Sequence, residues 1–398
     1  MLQKILACLM AVIIVLSVFT TTVYFAADSV LVVNPSDRKS SSGQLGMVEE
    51  EVVDIPTDLL ESLSSEDSSS LQSSSSSPLI SQQPSSVIVP PSAVPSNSST
   101  VTIPSSIPSK PSSSSHTSSS SSSSSDPAPP QETLIVKIAS ESSVGVYAVN
   151  DILPRIVAME MNGSMADEAL KAQAVATHSY IKYQNGIGKA PVVYVRTPSA
   201  HIKSLVESVS NKMMYSGGRV INAAYCASAA GRTESSVDVW GGYLSYLVSV
   251  ESTYDYLDPN WGSTITYTVD QVKNMVKKNA GITLSDDTEN WFKITSRTTG
   301  GYNGDMTIDG HSTFTYNGKT YKITGKYMRE IIMKQSGLPT LKSAKFDVSV
   351  DSDRVIFTTY GYGHGVGMSQ WGAHYYAVKA GYTYKQILTH YYSGVTIQ

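Results

Sequence analysis

Cysteine is nearly absent: the 398 residues contain two, Cys8 and Cys226. Cys8 lies in a hydrophobic N-terminal run, so the rest of the chain holds one thiol and can build no internal disulfide. An exported domain without disulfides fits a bacterial surface protein better than a secreted eukaryotic one. Charge is missing from residues 5–27, and large apolar residues are scarce from about 35 to 132, which leaves too little apolar surface there to offset the entropy of ordering. Also missing is any strong basic excess, so nucleic acid is not indicated as a partner.

What remains divides into three. The uncharged run at 5–27 is long enough to cross a bilayer core of roughly 30 Å as a helix. Tyr24 and Phe25 stand where a signal-peptide cut wants small residues. With Lys4 before it, the run reads as an uncleaved signal anchor, with the remainder extracytoplasmic on a single-pass cell-membrane protein. Residues 28–132 read as a Ser/Pro-rich disordered linker; as a flexible coil its ends would lie roughly 50–60 Å apart. Within it, Val52 to Leu63 is taken as plain linker, with a transient helix or docking segment as the alternative. Residues 28–132 carry 12 acidic and 3 basic residues, and 133–398 carry 21 acidic and 25 basic. A mildly basic domain suits an anionic polymer such as cell wall.

Residues 133–398 read as one large α+β domain of short helices and antiparallel strands. Strands are expected at Thr133 to Ile138, Val144 to Val149, Pro191 to Val195, Gly241 to Val250 and Phe292 to Thr298. Helices are expected at Asn150 to Met161, Met165 to Gln184, Val269 to Asn279 and Gly325 to Gln335. The second helix has Ser164 as its expected cap, Asp167 and Glu168 in the first turn, and Leu170, Ala174 and Ile181 as an inward stripe.

Three stretches could carry chemistry. Glu160 ends an apolar helical segment, where partial burial would let it hold a proton near neutrality. Ala223 to Gly242 places small residues, hydroxyls, Arg232, Glu234, Asp238 and Trp240 in one segment, which suits a polar groove or an ordinary turn-rich connection. Gly361, Gly363, Gly365 and Gly367 frame His364 and precede Ser369, Gln370 and Trp371; the Lys and Ser/Thr of a phosphate loop are lacking, so a nucleotide is not expected.

In this order the EM pair at Glu160, the EALKAQAVA helix, the GRTE and VWGG segment, and GHGVGMSQ resemble the stage II sporulation protein D and LytB family over about 135–398. The resemblance implies a peptidoglycan lytic transglycosylase acting in sporulation and engulfment, without a cofactor. Glu160 would be the catalytic residue, and Lys171, Gln173, Ser228, Arg232, Glu234, His364, Ser369 and Gln370 would bind substrate. Partners would be glycan strands, peptide-free in the form the family suggests, and a cell-wall amidase. The LytB branch supplies an alternative: a non-catalytic wall-binding module that enhances an amidase. Glu234 is read as a second acid or as a brace for Arg232, and Lys171 as a groove residue or an ion pair with Glu168. Many relatives have Arg where this chain has His178. Some hold zinc near the GRTE segment, but Cys226 stands alone there, so no metal is expected. Residues 255–345 carry little of the resemblance.

Overall fold

Residues 51–57, 59, 60 and 132–398 are described in a computed structural model of the chain. The anchor expected at 5–27 lies outside them, as does most of the expected linker, and among the described residues no helix is long and apolar enough to cross a membrane. Helix and strand are mixed throughout residues 132–398.

In chain order the elements begin with β1 (Val52–Asp54), β2 (Thr133–Ile138), β3 (Gly145–Ala148), α1 (Val149–Glu160), α2 (Asp167–Gly186) and β4 (Lys189–Val193). The sheet order is β1-β4-β2-β3. β2 and β4 run parallel, and α1 and α2 supply the crossover that parallel strands require. α2 is buried around most of its circumference, including Leu170, Ala174 and Ile181, because its many alanines let neighbours approach from every side.

β1 corrects the reading of 28–132 as linker. Val52 and Val53 are β-branched and fit a strand. They pair antiparallel with Pro191 and Ala190, and Ile55 beyond them is 5% exposed. The Val192 N–H donates to the Glu51 carbonyl at 2.7 Å, and Lys189 pairs with Asp54. The segment completes the β4 edge of the sheet.

Next come α3 (Ala200–Glu207), β5 (Met214–Ser216), β6 (Arg219–Val220), β7 (Tyr225–Cys226) and α4 (Ser236–Trp240). Ser235 caps α4, accepting from the Asp238 N–H, and Gly241 stops it with φ 78°. Gly241 to Val250 is a turn-rich connection rather than the expected strand. Ser164 does not cap α2 either: its hydroxyl turns back to Asn162, and Ala166 is the N-cap.

From Ser263 the chain builds a second hydrophobic core. β8 (Ser263–Thr268) leads into α5 (Val269–Ala280), which meets every requirement for a helix. Thr268 and Gln271 form a capping box, Val272, Met275, Val276 and Ala280 repeat on the buried face, Lys277 and Lys278 sit in the last turn, and Gly281 ends it. After β9 (Phe292–Ile294), β10 (Met306–Ile308), β11 (Thr313–Tyr316), β12 (Lys319–Lys322) and α6 (Gly325–Tyr327) come β13 (Phe346–Val350) and β14 (Arg354–Thr359). A π-helical turn, Met328–Ile332, continues α6. β13, β14 and β8 form an antiparallel sheet in which Phe357 meets Tyr267, Phe292 and Phe346 edge to face, beside the fully buried Trp291.

The chain then returns to the first core with β15 (Met368–Ser369), α7 (Gln370–Ala380), α8 (Tyr384–Tyr391) and β16 (Thr396–Ile397). Residues 263–359 are thus inserted between two parts of one core. One further expectation changes: β7–β15 as well as β2–β4 are parallel.

Candidate active site

Glu160 is the last residue of α1, half-buried, with Met161 leaving the helix in extended conformation. The Gln370 Nε2 donates to Glu160 Oε2 at 3.4 Å and to Gln173 Oε1 at 3.2 Å, while Gln173 Nε2 donates to the Thr177 hydroxyl at 3.0 Å. Side chains from α1, from α2 and from a segment about two hundred residues further on therefore share one hydrogen-bonded chain that ends at the carboxyl. An amide donor of this kind helps fix a carboxyl's position through a hydrogen bond from a neutral group.

Gln370 is delivered by the glycine loop. Gly361, Gly363, Gly365 and Gly367 all have positive φ, a region that favours glycine. A Cβ at Gly365 would strike the Tyr302 hydroxyl, and one at Gly367 the Ala224 carbonyl. The loop consequently lies flat against 224–228, and β15 pairs Met368 with Tyr225 and Ser369 with Cys226. Ser369 caps α7, accepting the Gly372 N–H at 2.9 Å, and donates to Asp255 Oδ1 at 2.7 Å. Asp255 is fully buried and also accepts the Gly231 N–H. Burial pushes its carboxyl up to about 8, despite hydrogen bonds from Ser369 and Ser252.

Glu234 and His364 come together elsewhere, in a pocket of about 230 Å³ shared with Asp238, Arg297, Lys326 and Arg329. The Glu234 N–H donates to the Gly365 carbonyl at 2.7 Å, and its Oε1 accepts the Thr298 hydroxyl at 2.6 Å. Burial raises the Glu234 carboxyl to about 7. His364 Nδ1 accepts the Val366 N–H at 3.0 Å, which places the ring proton on Nε2. Burial, with the Arg329 charge nearby, lowers the imidazole to about 3, so it is neutral.

The other candidates are placed as follows. Lys171 pairs with Glu168 at 2.7 Å, and Glu168 also accepts the Tyr384 N–H, tying α2 to the start of α8. Arg232 meets Glu251 at 3.7 Å and the Ser249 carbonyl; the expected brace from Glu234 is absent because Glu234 is held by Thr298 from the inserted region. Gln173, Ser228, Ser369 and Gln370 are each no more than 1% exposed. That corrects their expected place on the wall of a groove: they position other groups from beneath the surface. His178 is buried 3.5 Å from Glu132, and burial lowers its pKa, so it does not replace a relative's arginine as a cation. Cys226 is buried, which pushes its thiol up and keeps it protonated.

Sequence reasoning missed Asp255, Arg297 and Lys326. Asp255 had one usable signal, a lone acid in the otherwise uncharged run from Ser252 to Leu257. The two cations reach the pocket only through the inserted region, and no local pattern marks them.

Residues 139–238 match the SpoIID family model, described as Stage II sporulation protein. Over 271 residues the chain is 31% identical to Stage II sporulation protein D of Bacillus subtilis (strain 168), covering 61% of this chain and 72% of that protein. The chain belongs to the stage II sporulation protein D family. The family's Bacillus amyloliquefaciens protein of the same name is 28% identical over 287 residues, 65% of this chain and 76% of that one. An Amidase enhancer of Bacillus subtilis (strain 168) is 27% identical over 285 residues, 62% of this chain and 40% of that protein. The stretch matching the family model holds Glu160 and Gln173, and it ends at Asp238, before the second core begins.

Proposed function

We propose that this chain is a peptidoglycan lytic transglycosylase with a sporulation-related cell-wall role, held at the membrane by residues 5–27 with its catalytic domain extracytoplasmic. The observation that carries the reading is the half-buried Glu160 carboxyl fixed by Gln370 and Gln173. A protonated Glu160 donates to the glycosidic oxygen between MurNAc and GlcNAc as the bond breaks, leaving an oxocarbenium-like sugar. The resulting carboxylate takes the proton of the MurNAc 6-hydroxyl, which closes on the anomeric carbon. A 1,6-anhydro end forms, and no water is consumed. One carboxyl serves both steps, unlike the paired acids of ordinary glycosidases.

The similarity to the Amidase enhancer favours a second reading, a wall-binding module that raises the activity of a partner amidase. Incubating the full chain with peptide-bearing and peptide-free glycan strands, with products identified by mass spectrometry, separates the two. Anhydro-ended fragments that disappear in Glu160→Gln support cleavage. Glycan binding by folded protein without fragments defeats it and leaves the amidase reading.

A further inference from the structure

β1 meets the fold along the edge of β4. The Val192 N–H donates to the Glu51 carbonyl at 2.7 Å, and the Ile55 N–H to the Gly188 carbonyl at 3.0 Å. Bonded pairs alternate with unbonded ones along an antiparallel ladder, so the bonded pairs are 51 with 192, 53 with 190 and 55 with 188. Pro191, which has no N–H to give, falls opposite Val52 at an unbonded position. The edge of β4 thus accepts a strand despite its proline. The strand suits the edge: Val52 and Val53 are β-branched, Ile55 is buried at its end, and Asp54 pairs with Lys189.

What β1 joins gives the contact its meaning. Its N-terminal side leads to residues 5–27, and on its C-terminal side the chain re-enters the same sheet only at Thr133. A fully extended chain spans at most about 3.6 Å for each residue. Were Thr133 the first residue fixed to the fold, the 106 residues from 28 to 133 would allow it up to about 380 Å from residue 27. With Val52 held in the sheet, the 25 residues from 28 to 52 allow at most about 90 Å. This bound holds whatever path the intervening chain takes. β1 is also short and peripheral: three residues at one end of the sheet, with Val52 and Asp54 exposed. Local stability is lowest where buried contacts are few, so this strand separates before the fold around it.

We infer that the β4 edge is a docking surface for the membrane-proximal arm of this same chain, and that β1 is a releasable clasp that sets how far from the membrane the domain works. Docked, it confines the domain to the glycan nearest the bilayer; released, it allows about four times that reach. This rests on the anchor and the glycan substrate proposed above, and it concerns where the site acts, not how it acts.

Single-molecule pulling tests it, on the full chain inserted in a supported bilayer and drawn by a C-terminal tag. The first event expected is a lengthening of about 250 Å, the contour of residues 56–131, at a force below that which unfolds the domain. Asp54→Cys combined with Lys189→Cys locks the strand: an unbonded pair holds its Cα atoms about 4.5 Å apart, within disulfide range, and Cys226 is buried. Oxidation should abolish the first step and reductant restore it. Val53→Pro, which removes a ladder N–H, should give a tether about 250 Å longer from the outset and no first step. The disulfide comparison decides by itself where the proline variant fails to fold. Domain unfolding with no separate first step, a step that persists after oxidation, or two thiols that do not join overturns the clasp. A chain that forms no tether to the bilayer removes the anchor, and with it the limit on reach, while the same pull between N- and C-terminal tags still decides whether β1 is a clasp.

Discussion

The two hydrophobic cores are built by different rules. Residues 263–359 bury three polar side chains, Asn303, Ser343 and Thr359, whereas the first core and the segments around it bury sixteen, among them Gln173, Glu234, Asp255, Ser369 and Gln370. The second core is an amphipathic helix and hairpin strands packed on aromatic rings, as stability alone would dictate. A buried polar group costs free energy unless it is bonded. The first core accepts that cost many times over, along the path that leads from Asp255 through Ser369 to Gln370 and Glu160. The contrast separates a region selected to fold from one selected to hold side chains in place. Contacts across them join the two: Lys345 Nζ donates to the Ala230 carbonyl at 2.9 Å, and the Ala230 N–H donates to the Tyr302 hydroxyl at 2.9 Å.

The largest expected effect comes from breaking the apolar core. Trp291→Ala should cost about 3–5 kcal/mol in urea unfolding. Circular dichroism and fluorescence should report one shared transition; two separate midpoints would show that the inserted region unfolds alone and that the cross-contacts are weak. Gln370→Ala should act on the other side of the contrast. Loss of a hydrogen bond between neutral groups, about 0.5–1.5 kcal/mol, corresponds to about a two- to tenfold fall in glycan cleavage. A fall confined to KM would instead assign Gln370 to substrate binding.

The pH dependence of stability sharpens the comparison further. The folded-state pKa of Asp255 lies at about 8, above its ordinary 3.8. Its contribution is therefore complete below about pH 4 and is lost as pH rises toward 8, because the unfolded chain ionises first. Glu234, at about 7, acts in the same direction. Melting temperatures measured from pH 4 to 8 should fall less steeply in Asp255→Asn than in the wild type; parallel curves would mean that the buried acid does not carry the dependence. The smallest effect is expected for Lys171→Ala. Its pair with Glu168 is partly exposed, at 24% and 30%, and is worth at most about 1 kcal/mol. A tenfold loss of cleavage at unchanged stability would restore a groove role to Lys171.

How much of this could be read in the sequence depended on whether the cause was local. α5 was legible because cap, stripe and stop signals all lie within one window, and α2 because alanines and acidic first-turn residues do the same. Ser164 was misplaced as a cap because its hydroxyl had a nearer partner in Asn162. Of the candidate residues, Glu160 was marked by its place at the end of an apolar helix, and the family motifs pointed to the glycine loop. The meeting of Glu160, Gln173 and Gln370 is set by the register of β15 on β7, which no local pattern encodes. The pocket was harder still, since Arg297 and Lys326 come from the inserted region.

β1 also changes how the chain's length should be regarded. Because Val52–Asp54 and Thr133–Ile138 belong to one sheet, the chain is fastened to the fold on both sides of the serine-rich stretch. The entropic cost of joining two segments across an intervening stretch grows only logarithmically with its length, by about 0.6 kcal/mol for each doubling. Evolution can thus lengthen or trim those serines at little thermodynamic penalty to the fold. A single protease cut within them would leave the N-terminal piece attached without a covalent bond, through β1, Ile55 and the Asp54–Lys189 pair among the described residues, so that its retention would become a matter of concentration and time.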